Sequence, residues 1–159
     1  MAILFSFLAF LSCSRLPNVQ GEGHPLFQGI WIQEMNLDSA KRISYAKHEL
    51  KFTCDSFYLS LVTYSKANYY PEECFNDGVW KEYAKGTYTF KNDTLSLSGV
   101  FTKANFKQKI SGCYRNGRYF NQFIVKKNAE KELSFQGIQD KSQFVLNQKE
   151  EIICSPKPL

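Results

Sequence analysis

The chain has 159 residues, a formal net charge of +5 and 16% aromatic residues, with 14 Phe and 9 Tyr. That is the size of one domain, long enough to bury a core. The charge comes without clustered Arg or stacking motifs, so it reads as a lysine-rich exterior with a weak pull toward anionic headgroups, and no nucleic-acid partner is expected.

In chain order, the first element is the apolar run Ile3–Leu11, followed by Ser12 and Cys13. It has the length of a signal-peptide apolar region and is too short to span a bilayer. A small residue followed by a cysteine is the arrangement at which a bacterial lipoprotein precursor is cut and lipidated. Residues 1–12 are therefore expected to be a signal peptide and Cys13 the lipid anchor. The Pro/Gly/polar stretch that follows suits a flexible tether over 13–26, leaving 27–159 as the folded domain. The tether holds that domain at a membrane of the cell envelope. The start Ser14-Arg15-Leu16 lacks the acidic residues that resemble a surface-export signal, so the expected location is the outer membrane, facing the periplasm.

From Gly29 onward, short alternating runs are separated by turn residues at about 8–12-residue spacing, the pattern of an antiparallel barrel or sandwich. Leu50 and Phe52 share a face, as do Phe57, Leu59 and Leu61, then Tyr88 and Phe90, then Leu95 and Leu97. Phe106 and Ile110 suggest a further strand, and Asn116-Gly117 a hairpin turn. Phe123 and Val125, Leu133 and Phe135, and Phe144 and Leu146 follow, with a last short strand around Ile152 and Ile153. Apolar faces inward and Lys/Thr/Ser faces outward make a barrel in water; a membrane-spanning barrel needs the reverse. The fold class is all-β, a small up-and-down barrel of about eight or nine strands. Two connections are long, Met35 to Lys47 and Ser65 to Gly78, and strand parity puts both at one end, where a ligand would enter.

Gly29-Ile30-Trp31 resembles the Gly-x-Trp opening of lipocalins and related calycins, in which the Trp packs across the closed base of the barrel. The stretches from Trp80 to Leu95 and from Phe101 to Tyr114 resemble lipocalin-like lipoproteins of the Bacteroidota. The resemblance implies a membrane-anchored monomer that binds a small apolar or amphipathic ligand without catalysis or cofactor. An envelope protein with a filled barrel, working through its surface, is the alternative. Chains of this appearance sometimes carry the name fumarate hydratase. The Ser-rich loop and cluster-binding cysteines of those enzymes have no counterpart here, so catalysis is not expected.

Within the barrel, His48 shares the face of Leu50 and Phe52 and should point inward at the mouth; Gln108 and Asn121 also fall on apolar-facing registers, and since buried amides need partners they either bond each other or meet a polar ligand group. Tyr69 and Tyr70, in the second long loop, complete the candidate ligand-binding set. Asp38-Ser39-Ala40 and Asp93-Thr94-Leu95 resemble the Asp-Ser/Thr-apolar O-glycosylation signal of Bacteroidota, making Ser39 and Thr94 candidates. No metal site is expected, since no cysteine pair has CxxC spacing and the chain has only two histidines, His24 and His48.

With Cys13 lipidated, Cys54, Cys74, Cys113 and Cys154 remain, an even set for two disulfides in an exported domain. On a count that includes the Phe106–Ile110 strand, Cys54 and Cys113 fall at the tight-turn end and Cys74 and Cys154 at the open end. Bridged cysteines need Cα atoms within about 7 Å. The expected pairs are then Cys54–Cys113 and Cys74–Cys154, with Cys54–Cys74 open if the long loop folds back. A bridge from the C-terminal segment to an earlier part of the barrel also resembles lipocalins.

Overall fold

Alternation in the sequence becomes alternation in space. A computed structural model describes residues 19–34 and 41–158, and in it eight antiparallel strands close into an up-and-down barrel. They are β1 (Gly29–Gln33), β2 (Ser44–Thr53), β3 (Ser56–Ser65), β4 (Val79–Lys91), β5 (Thr94–Thr102), β6 (Arg118–Ala129), β7 (Glu132–Gly137) and β8 (Gln143–Glu151). Each strand pairs with its neighbour in sequence, and β1 closes on β8. The apolar register of every strand points inward. Trp31, Leu50, Phe52, Phe57, Leu95, Leu97, Phe123, Phe135 and Leu146 are all almost completely buried.

Three connections at one end are two-residue turns, after β2, β4 and β6. The turn between β4 and β5 has φ +49° at Asn92 and +58° at Asp93, the left-handed pair whose twist suits a hairpin. The other end, the mouth, carries the longer connections. A short helix α1 (Glu72–Phe75) lies in the one between β3 and β4.

Three glycines shape the wall. Gly29 has φ +145°, and a Cβ there would run into the Glu150 carbonyl beside a register shift between β1 and β8. Gly86 and Gly99 face each other across β4 and β5, where either Cβ would strike the opposite backbone. Such close approach lets the sheet bend sharply enough to close.

The base is sealed by the segment before β1. Val19 pairs with Pro158, and the Asp55 backbone N–H donates to the Gly21 carbonyl at 3.0 Å. The His24 N–H donates to the Tyr88 hydroxyl at 2.9 Å, and the Gln28 side chain bonds both N–H and C=O of Cys54. Phe27, in a 3₁₀ turn over Pro25–Phe27, is fully buried under the barrel, and Trp31 donates its indole N–H to the Phe27 carbonyl at 2.7 Å. Within the span expected as tether, Gln20, Gly21 and His24 are hydrogen-bonded to the base.

Four expectations differ from the structure. Residues 103–117 form a long mouth connection rather than a strand; Phe106 has φ +58° and packs outside the barrel on Tyr58 and Tyr83. Asn116-Gly117 ends that connection instead of making a two-residue hairpin. β2 begins at Ser44, so Lys47 lies within a strand, and Ile152-Ile153 extend past β8 without pairing, Ile153 being 89% exposed.

Removing one strand from the count reverses the ends of everything after it, and with them the disulfides. Cys54 bonds Cys154 at the base, with Cα atoms 4.8 Å apart, and Cys74 bonds Cys113 at the mouth, with Cα atoms 5.5 Å apart. The expected pairs Cys54–Cys113 and Cys74–Cys154 would each have to span the length of the barrel.

Candidate functional site: the mouth of the barrel

Two loops roof one side of the mouth. The β3–β4 connection and the β5–β6 connection are stapled by Cys74–Cys113. Tyr70 folds edge-on against Trp80 and Tyr114, which stack on each other at 5.7 Å. Beneath them, Glu82 stands on the inward register of β4 and is only 6% exposed. A carboxylate there needs compensation, and Arg115 supplies it. Its Nε and Nη2 donate to the two Glu82 oxygens at 2.9 Å each, and its backbone N–H adds a third bond at 3.1 Å. Burial alone would push the Glu82 carboxyl up, but the bonds and charge of Arg115, with help from the Trp80 indole, hold it below the usual range. The Arg115 guanidinium also lies over the Phe101 ring at 5.1 Å.

On the other side the described residues line a recess. A cavity of about 360 Å³ descends between β2 and β6, with Leu59, Leu61 and Phe144 among its apolar lining and His48, Tyr119 and Asn121 among its polar lining. His48 stacks flat on Phe144, ring centroids 4.0 Å apart, and its N–H and Nδ1 both meet Gln33 Oε1, at 3.1 and 2.9 Å. Desolvation lowers the imidazole pKa from 6.5 to about 4; Asp140 pulls it up and Arg115 pushes it down. The ring is neutral at pH 7. Burial raises the Tyr119 phenol to about 12, with Arg115 and the Asn121 amide acting against it.

Among the residues expected to bind ligand, His48 and Asn121 line this cavity. Tyr69 is 65% exposed, Tyr70 belongs to the roof, and Gln108 is an exposed loop residue bridging to Thr102 rather than an inward one. Thr94 opens β5 with its hydroxyl donating to the Asn92 carbonyl. Cys13 and Ser39 lie outside the described residues. Gln33, Arg115 and Tyr119 were not singled out from sequence. Glu82 was the available signal, a carboxylate on the register of Trp80, Ala84 and Tyr88 that demands a cation.

No family model, curated protein or solved structure matches this chain significantly.

Proposed function

We propose that this chain is a membrane-anchored, lipocalin-like lipoprotein of the cell envelope that binds a small amphipathic ligand at the mouth of its barrel. The observation that carries the reading is the asymmetry of the interior: the base is packed solid by Phe27, Trp31 and Phe52, whereas the mouth keeps a cavity of about 360 Å³. That volume is at the small end of ligand sites, and an apolar floor with a few convergent polar groups is their usual composition. Native mass spectrometry of protein purified from membranes tests the binding. A co-purifying small molecule whose retention falls in a Leu61→Trp variant, which fills the cavity, supports it. An acyl mass that disappears in Cys13→Ser tests the anchor separately.

A second reading has its own observation. The lower barrel is filled by Phe57, Phe123, Phe135 and Leu133, each at most 2% exposed, as in barrels that serve as rigid scaffolds. An empty mouth in protein from every source, with no ligand-dependent change in stability, favours that scaffold reading.

A further inference from the structure

We propose that the mouth cavity selects an uncharged ligand bearing its own hydrogen-bond donor, a primary amide or an alcohol on a small apolar body, and disfavours carboxylates. This rests on the reading that the cavity is the binding site, and it follows from which cavity atoms can still donate or accept.

The His48 backbone N–H can only donate, so the Gln33 atom facing it at 3.1 Å is the carbonyl oxygen. That oxygen cannot donate to the imidazole, so Nδ1, 2.9 Å away, carries the proton. A neutral imidazole has one such proton, which leaves Nε2 as an acceptor. Protonating Nε2 is opposed by the same burial that lowers the ring pKa to about 4. On the facing wall, Asn121 Oδ1 is held by the Gln122 N–H at 2.9 Å, so its NH₂ supplies donors. Tyr119, 7% exposed, brings a hydroxyl from the same strand. The barrel order places β2 and β6 directly opposite each other, with three strands between them on either side. A ligand in the cavity therefore meets an acceptor on one wall and donors on the other.

Charge points the same way. Arg115 is neutralised by Glu82 through paired bonds, and among the described residues the other charged groups lining the cavity, Arg42 and Asp140, are opposite in sign. An anion would find no net positive charge among the described lining residues, and it would place a lone pair against His48 Nε2, at the cost of its own desolvation. An amide or alcohol satisfies both walls while its apolar part covers Leu59, Leu61 and Phe144.

Three probes of one shape and different heads separate the cases: benzamide, benzyl alcohol and benzoate, titrated at pH 7 into the whole protein labelled at His and Tyr, with ring signals followed by NMR. Benzamide and benzyl alcohol should shift His48 and Tyr119 saturably, and benzamide should bind at least tenfold more tightly than benzoate. The ¹⁵N spectrum should show the Nδ1–H tautomer. His48→Phe, which keeps the stack on Phe144, should weaken benzamide about tenfold and leave benzoate unchanged; Tyr119→Phe removes only a hydroxyl and should weaken benzamide severalfold. Benzoate binding at the mouth as tightly as benzamide, an Nε2–H tautomer, or benzamide indifferent to both substitutions overturns the inference and leaves the mouth reading standing. No saturable shift at any mouth signal with any probe removes the mouth reading, and the inference with it.

Discussion

Acid should destabilise this barrel through one desolvated histidine. In the folded chain the His48 imidazole titrates near 4, against 6.5 for an unperturbed ring. Between those values the unfolded chain binds a proton that the folded chain does not, so stability rises with pH across that window. The contribution is complete above about pH 6.5 and is lost as pH falls toward 4. At 1.36 kcal/mol per pH unit the drop amounts to at most about 3 kcal/mol. The real figure is smaller to the extent that cavity water reaches the ring and stabilises its charged form. Against a typical folding free energy of about 5–15 kcal/mol that is a large fraction. Urea midpoints read by tryptophan fluorescence at pH 7, 6, 5 and 4.5 should fall steadily in the parent. The His48→Phe variant should lose most of that dependence, because it keeps the ring contact with Phe144 and removes only the titration. Glu82 acts lower on the scale, since its carboxyl is already held down by Arg115. Equal pH slopes in parent and variant would refute the argument and mean that the folded ring is as easily protonated as a free one.

Trp31→Ala should cost roughly 3–5 kcal/mol, the usual range for truncating a buried aromatic, seen as a lower thermal midpoint, while Tyr70→Ala, in the partly exposed roof, should cost about 1–2 kcal/mol. Non-reducing peptide mapping should recover Cys54–Cys154 and Cys74–Cys113 peptides; on the chain-entropy model, the bridge spanning 100 residues contributes about 5 kcal/mol and the one spanning 39 about 4 kcal/mol, so removing the base bridge should lower the urea midpoint more. Glu82→Ala leaves the Trp80 N–H and Arg115 without their acceptor and should cost about 1–3 kcal/mol; because Arg115 is half-exposed and can turn to water, its double variant with Arg115→Ala should be no worse.

Most of the wall was legible because one face of every strand is buried, and period-two alternation then has a single solution. His48 and Asn121 followed from that same parity. The reading failed where covalent and tertiary constraints overrode local pattern. Phe106, Gln108 and Ile110 alternate as a strand would, but a turn bond from the Phe106 N–H to the Lys103 carbonyl and the bridge at Cys113 fold the segment across the mouth instead. Ile152 and Ile153 have strand composition, yet the bond at Cys154 draws the chain under the base, where Lys157 and Pro158 meet Gln20 and Val19 instead of a barrel strand. One surplus strand was enough to exchange the disulfide partners, while the rule behind that assignment, that both cysteines of a bridge lie at the same end, holds. Arg115 was hidden because its place depends on a loop path, which alternation does not encode.

The Cys54–Cys154 bridge also decides how the molecule would answer a mechanical load applied at its two ends. Tension entering before Val19 and leaving after Pro158 runs along residues 19–54, crosses the sulfur–sulfur bond and exits through the last few residues. Strands β3 to β8 lie in the bypassed loop. Stretching should therefore peel away only β1 and β2 and stop at a fixed extension, with the remaining six strands slack until the bridge is reduced.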